Sequence, residues 1–370
     1  MTVTADEAAL SLVVVWLCLL FGRGFFWWIR EARLASGPPP LRRVAVVIPA
    51  RNEAALIGKA VASLAAQDYP GPLEILVVDD HSTDRTAEAA QGARVVAAGP
   101  LPDGWTGKLW AVSEGIREAA AFRANYFLLT DADVVHSPAN LSRLVAHAEA
   151  GGYDLVSLMV ELRSETLAER ALIPAFVFFF LKLYPPRWIA NPKRSTAGAA
   201  GGCMLVRRDA LERIGGIETI RGELIDDCAL AKAVKRGGGR VWLGLSTETR
   251  SIRQYASFAE VGRMISRTAF TQLSHSPLLL AGTVLGMSAI YLAPPVLALG
   301  FRSWLAALAW LTMMAAYAPV LRLYRRSLAW APALPLVALF YTAATVASAL
   351  QYWMGRGGAW KGRMQAGRRT

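Results

Sequence analysis

Residues 44–53 read VAVVIPARNE. The first seven are a continuous apolar run rich in valine and isoleucine, which predicts a strand buried on both faces, as in a parallel sheet covered by helices. A helical stretch from Glu53 to Gln67 follows, then a Tyr-Pro-Gly-Pro turn and a second apolar run that ends in acid, LEILVVDD at 73–80. Ser82, Thr83 and Asp84 predict the capping of a helix that continues through Ala90. ARVVAA (93–98) reads as a third strand, Leu109–Ala121 as a helix and YFLLTDAD (126–133) as a fourth strand. This alternation predicts an α/β domain with a doubly wound, mostly parallel sheet and helices on both faces. Ligands of such sheets bind beyond the carboxyl ends of the strands. Asp79, Asp80, Asp131 and Asp133 all fall at such ends.

The chain around this core is too apolar to be wholly soluble. Of 370 residues 54% are hydrophobic and only 18% charged, against about a quarter charged in ordinary soluble domains. Yet Pro, Gly and charged residues interrupt it too often for a pure helical membrane bundle, a coiled coil or a disordered chain. Ala8–Ile29 is an apolar run broken only by Arg23, preceded by Asp6 and Glu7 and followed by Arg30, Arg33, Arg42 and Arg43. That polarity is the reverse of a cleaved signal peptide and predicts an anchor (1–30) with its C-terminal side in the cytoplasm. A second apolar block divides into spans near 277–300, 303–321 and 328–354, with Arg322, Arg325 and Arg326 on the cytoplasmic side. The basic tail, 355–370, fits this pattern less well. If all three segments cross, Arg356, Lys361, Arg363, Arg368 and Arg369 lie outside.

Between them, LAERALIPAFVFFFLKLYPPRWIA (167–190) has a short apolar centre bounded by Arg170, Lys182 and a Pro-Pro pair. It reads as a helix lying in the membrane interface, with a buried core helix as the alternative. Residues 246–276 read as further interfacial helices. The net charge of +12 is accounted for by membrane-edge bias and attraction to an anionic bilayer, and no nucleic-acid-binding module accompanies it. Cys18, Cys203 and Cys228 lack paired spacing, and with four scattered histidines they make neither a disulfide framework nor a zinc site.

In Asp131-Ala132-Asp133 an extended backbone places both carboxylates on one side. An oxygen-only pair completed by substrate phosphates suits Mg²⁺ or Mn²⁺. A lone D-x-D is a weak signal that gains force from the ordered motifs around it. IPARNE (48–53), VVDDHSTD (77–84), GKLWAVSEGI (107–116), LLTDAD (128–133), GGCMLVRRDALERIGG (201–216) and LIDDCALAKAVKRGG (224–238) together resemble the inverting family-2 glycosyltransferases with a GT-A fold, over residues 42–245. LIPAFVFFFLKLYPP, SRTAFTQL and YLAPP resemble the narrower group of hopene-associated membrane glycosyltransferases.

The resemblance implies roles residue by residue. Asp80, with Pro49 and Glu53 beside it, receives the nucleoside of the donor, a UDP-sugar by expectation, while Asp79 and Asp84 have helix capping as an alternative. Asp131 and Asp133 form the metal and diphosphate motif, Asp133 the more direct ligand. Lys108 reaches the same phosphates or is a solvated surface lysine. Asp227, preceded by Asp226, is the general base that takes the acceptor's hydroxyl proton, the alternative being a capping pair. Gly202 and Cys203 border the acceptor.

The polymerising membrane members carry Q-x-x-R-W where this chain reads Met264-Ile265-Ser266-Arg267-Thr268. Arg267 stays as the diphosphate contact, with lipid-headgroup contact its alternative. The missing Gln and Trp imply transfer of one sugar to a membrane lipid, a hopanoid by the narrower resemblance, at a bacterial-type inner membrane with the catalytic domain cytoplasmic. A polyprenyl-phosphate sugar transferase and an inactive nucleotide-sugar-binding protein are the competing readings.

Overall fold

The computed structural model describes every residue except Met1, Ser36, Pro38, Pro39, Lys361, Gly362 and 365–370. Lys361, Arg368 and Arg369 of the expected basic tail therefore lie outside the described residues. The chain divides into two compact units. One is helical (Met1–Arg30, Ser164–Arg187 and Tyr255–Gly357) and the other is built on a sheet (Glu31–Arg163, Trp188–Gln254 and Gly358–Thr370). The sheet unit is thus continuous neither in sequence nor over the expected 42–245, because 164–187 belongs to the helical unit.

The sheet has eight strands: β1 (Val44–Ala50), β2 (Leu73–Asp79), β3 (Arg94–Ala97), β4 (Tyr126–Thr130), β5 (Val134–Val135), β6 (Leu155–Glu161), β7 (Cys203–Arg207) and β8 (Val241–Ser251). Their order is β3-β2-β1-β4-β7-β6-β8-β5. Parallel pairing joins β3, β2, β1 and β4, and also β6 to β8. Strand β7 runs against both of its neighbours and β5 runs against β8. The mostly parallel sheet is therefore a mixed one with two reversed strands. All seven residues of β1 are buried, as its unbroken apolar run demands. Strand β8 continues to Ser251, past the expected boundary at 245.

Register sets the site. β1 and β2 pair without a slip from Val44↔Leu73 to Ala50↔Asp79, so both strands end level and the Asp80 N–H donates to the Ala50 carbonyl at 2.8 Å. The Gly107–Glu118 helix lies so close on these strands that a Cβ at Gly115 would sit 2.5 Å from Val47 Cγ1 and 2.9 Å from Val78 Cγ2. Only glycine permits that approach. One expectation is corrected here. Strand β4 stops at Thr130, and the Val134 N–H closes a turn onto the Asp131 carbonyl at 3.2 Å. Asp131 and Asp133 are turn residues, and the extended segment expected to set both carboxylates on one side is not formed.

In the helical unit, Pro277–Gly300, Trp304–Leu323 and Leu328–Trp353 are each long and apolar enough to cross a membrane, close to the boundaries read from sequence. The N-terminal helix Thr2–Leu17 continues through a π-turn, Cys18–Gly22, and stops there although the apolar run goes on to Ile29. It packs along Trp304–Leu323, and Ser303 Oγ donates to an Asp6 carboxylate oxygen at the start of both helices. Leu167–Leu183 is a 17-residue helix whose apolar side chains from Ala171 to Ala175, with Val177, Phe178 and Leu181, are buried within the same unit.

That last helix begins on a fully buried carboxylate. Glu169 accepts from the N–H groups of Glu165 (2.8 Å), Thr166 (2.9 Å) and Tyr255 (2.7 Å), while Thr166 Oγ1 accepts from the Glu169 N–H at 3.2 Å. This capping box satisfies the helix start and ties Tyr255 to it. Glu169→Ala leaves three backbone donors without their buried acceptor and should cost on the order of 1–3 kcal/mol, read as a lower unfolding temperature in detergent. Glu169→Gln, which keeps an acceptor oxygen, should lose less.

Candidate active site

One ammonium gathers the acids. Thr106 caps the Gly107–Glu118 helix, its Oγ1 accepting from the Leu109 N–H at 3.4 Å, and Lys108 therefore projects from the first turn. Its Nζ lies 3.0 Å from Asp131 Oδ1, in the turn after β4, and 3.1 Å from Asp226 Oδ2, at the start of the Asp226–Arg236 helix. The solvated-lysine alternative fails, because this side chain bridges two carboxylates. Asp227, the next residue, is held by two backbone donors. Gly201 N–H reaches Oδ2 at 2.8 Å and Cys228 N–H reaches Oδ1 at 2.7 Å. Gly201 faces the cluster so closely that a Cβ there would lie 3.3 Å from Lys108 Nζ and 3.4 Å from Asp227 Oδ2. Pro49, Lys108, Asp131, Gly201 and Asp226 line one small cleft.

The electrostatics follow from this packing. Burial, then the neighbouring Asp226 charge, push the Asp227 carboxyl up to about 6, against the opposing pull of Lys108 and the two backbone N–H groups. Burial works to lower the Lys108 ammonium, but Asp131, Asp226 and Asp227 together outweigh it and hold the group protonated. A carboxylate near neutrality beside a fixed cation is suited to accept a proton at physiological pH.

A second constellation joins Glu53 to Asp133. Arg253, just beyond β8, places Nη2 2.6 Å from Glu53 Oε1 and Nε 3.3 Å from Asp133 Oδ2, which also accepts from Ser251 Oγ at 2.5 Å. Sequence reading missed Arg253. It lies 200 residues from Glu53, and nothing local to it signals the pairing. Asp80 is wholly buried; its Oδ1 is 3.2 Å from His81 Nδ1 and its Oδ2 3.8 Å from Arg51 Nη1. The helix expected to continue through Ala90 is the short Thr86–Ala89, whose N-cap Arg85 makes no side-chain cap bond, so neither Asp79 nor Asp84 is its N-cap and both instead hold the turn before it. Asp79 accepts from the Ser82 N–H at 3.2 Å and Asp84 from the N–H groups of Thr86 (3.0 Å) and Ala54 (3.1 Å).

Behind these acids runs a buried polar chain. Asn140 Nδ2 lies 2.9 Å from His136 Nδ1, His136 Nε2 lies 3.0 Å from Thr130 Oγ1, and Thr130 donates to the Gly202 carbonyl at 2.7 Å. With Asn140 donating to Nδ1, the imidazole proton is assigned to Nε2. Burial pushes the His136 imidazolium down to about 4, so this ring is a neutral strut. Cys203 is a correction. Its side chain is fully buried in the sheet core, where burial pushes the thiol up to about 12, and it presents no surface to an acceptor. Gly202, beside it, remains partly open. Arg267 belongs to the helical unit, where it follows the Phe258–Ser266 helix as an exposed side chain.

Among the described residues, no group of three or more His, Cys, Asp or Glu side chains is gathered to hold a metal ion. A cation bound here would be held by carboxylate oxygens of Asp131, which keeps 36% of its side chain open, and of Asp133. The rest of its shell must come from ligand oxygens and water. That donor set fits a hard divalent ion such as Mg²⁺ or Mn²⁺, which retains water and shares substrate phosphates.

Residues 45–215 match the family model for glycosyl transferase family 2. A 4,4'-diaponeurosporenoate glycosyltransferase of Staphylococcus aureus is 38% identical over 96 residues, covering 25% of this chain and 24% of that protein. An uncharacterised protein of Methanocaldococcus jannaschii is 32% identical over 110 residues, 30% of this chain and 43% of the other. The chain thus spans less than half the length of these relatives. A mannosyltransferase of Pyrobaculum calidifontis, solved with GDP-Man and Mn²⁺, is 21% identical, with 93% of this chain and 99% of that one aligned at a TM-score of 0.51. The fold is accordingly GT-A.

Lys108→Met leaves the acids facing one another without their cation. The variant should lose roughly 3 kcal/mol at neutral pH. The sign with pH follows from the raised carboxyl. Without Lys108 the folded-state Asp227 value rises further, above about 6, so the variant's carboxyl protonates first as pH falls and the deficit from this group shrinks as pH is lowered from alkaline values towards about 6. Unfolding temperatures of both proteins across that range measure it.

Proposed function

We propose that this chain is a membrane-bound, inverting glycosyltransferase that uses a divalent metal to move one sugar from a nucleotide-diphosphate donor, a UDP-sugar, to the hydroxyl of a membrane lipid. The observation that carries the reading is Asp227, a carboxylate of raised proton affinity gripped by two backbone N–H groups beside the Lys108–Asp131 pair. A lipid alcohol is a poor nucleophile until its proton is removed in the transition state. Asp227 removes it, its position fixed by Gly201 and Cys228, and inversion follows from attack opposite the leaving group. Gly202, in the turn that also holds Gly201, borders the acceptor.

Asp80, Pro49 and Glu53 take the nucleoside end, with Arg253 holding the Glu53 carboxylate. Asp131 and Asp133 offer oxygens to Mg²⁺ or Mn²⁺, which neutralises the charge of a departing diphosphate. Lys108 places a second cation beside the same turn, and Arg267 is the proposed further contact of the diphosphate.

The three apolar helices long enough to span, and the name of the diaponeurosporenoate glycosyltransferase relative, support a lipid-like acceptor; a hopanoid is the specific candidate. The absence of Gln and Trp around Arg267 supports transfer of a single sugar. The acid at the Asp6 end of the helical unit and the arginines at the Arg322 end support a multi-pass arrangement in a bacterial-type inner membrane with the sheet unit cytoplasmic.

Purified full-length protein in lipid, given radiolabelled UDP- and GDP-sugars with a lipid extract, should label one lipid whose mass fixes donor and acceptor together. Asp227→Asn should keep nucleotide-sugar affinity within a few-fold while turnover falls on the order of a hundred- to ten-thousand-fold. Asp133→Ala should lose both. Near wild-type turnover of Asp227→Asn would instead point to an acceptor that is already anionic, such as a polyprenyl phosphate.

A further inference from the structure

The helical unit holds an open cleft of about 430 Å³ lined by Trp27, Trp28, Ile29, Arg30, Pro319, Arg322 and Leu323. No acidic side chain is in its wall, and two guanidinium groups are. Arg30 lies over the Trp28 ring, 4.6 Å from its centroid, and Trp27 is pinned by its Nε1–H, which donates to the Leu20 carbonyl at 2.8 Å. Arg322 is in the last turn of Trp304–Leu323, one of the helices long and apolar enough to span. The other end of that helix is the end where Ser303 meets Asp6. Cleft and acid thus sit at opposite ends of one apolar helix, with Arg325 and Arg326 just beyond the cleft end.

We infer that this cleft binds the phosphate of an anionic membrane lipid between Arg30 and Arg322. The ligand is an anion because the wall supplies only positive charge, and guanidinium forks match phosphate oxygens in pairs. It is a lipid phosphate because the walls that carry the arginines are apolar and aromatic. Tryptophan settles at the headgroup level of a bilayer, and basic pockets between spanning helices take anionic headgroups. Trp28 holds the Arg30 guanidinium in place before any ligand arrives. This site is separate from sugar transfer, but it rests on the membrane reading above.

Native mass spectrometry of the full-length protein, released from detergent with equal phosphatidylglycerol and phosphatidylcholine, tests it. The wild type should retain phosphatidylglycerol in preference, and each of Arg30→Gln and Arg322→Gln should weaken that retention roughly five-fold. Arg302→Gln, at the opposite end of the same helix, should change nothing, and the paired lysine variants should retain an intermediate amount. Inorganic phosphate in excess should not displace the lipid; displacement would assign the site to soluble phosphate and overturn the proposal. Equal retention of both lipids by the wild type, or undiminished phosphatidylglycerol on the double Gln variant, overturns it while leaving membrane residence intact. A protein that needs no detergent and carries neither lipid overturns both readings.

Discussion

The Lys108 ammonium is the contact on which the site depends. Asp131, Asp226 and Asp227 come from two distant parts of the chain and meet in a partly buried cleft, where like charges repel strongly and water screens them little. A single cation from the first turn of the Gly107–Glu118 helix makes that gathering tolerable. The helix reaches there because Gly115 lets it settle on Val47 and Val78. The start of the Asp226–Arg236 helix adds its own positive end to the Asp227 carboxylate. The same arrangement that stabilises the fold also leaves Asp227 able to take up a proton near neutral pH.

Around this cluster the chain separates two kinds of chemistry. The sheet unit supplies level strand ends and the turns that carry acids, while the helical unit supplies long apolar helices, a buried capping carboxylate at Glu169 and an arginine-lined cleft. The chain leaves the sheet unit at Ser164 and returns after Arg187, so the apolar Leu167–Leu183 helix is an insertion in the domain, not a piece of its core.

Much of this was legible because periodicity is a local property. VAVVIPA could only be a doubly buried strand, and the three C-terminal apolar segments were read within a few residues of their observed bounds. The ordered motifs placed Asp80, Asp131 and Asp227 at strand and helix ends. What stayed hidden depends on geometry that sequence does not encode locally. The turn after Thr130 gives Asp131 and Asp133 different partners, Lys108 and Arg253. Arg253 itself joins Glu53 across 200 residues. His136 looked like one of four scattered histidines until Asn140 and Thr130 were seen to hold it as a neutral strut. Cys203 sat in a motif that borders the cleft, yet the period-two alternation of β7 turns its side chain into the core.

The central claim is that Lys108 and the clustered acids act as one unit that sets the proton affinity of Asp227. The dependence of kcat on pH, at saturating donor and acceptor, tests it most directly when wild type and Lys108→Met are compared. The account predicts that wild-type kcat rises with pH through about 6 and then levels, and that in Lys108→Met the rise moves to higher pH because the stabilising cation is gone. A rise that stays in the same place in Lys108→Met, or a wild-type kcat flat across this range, would contradict it.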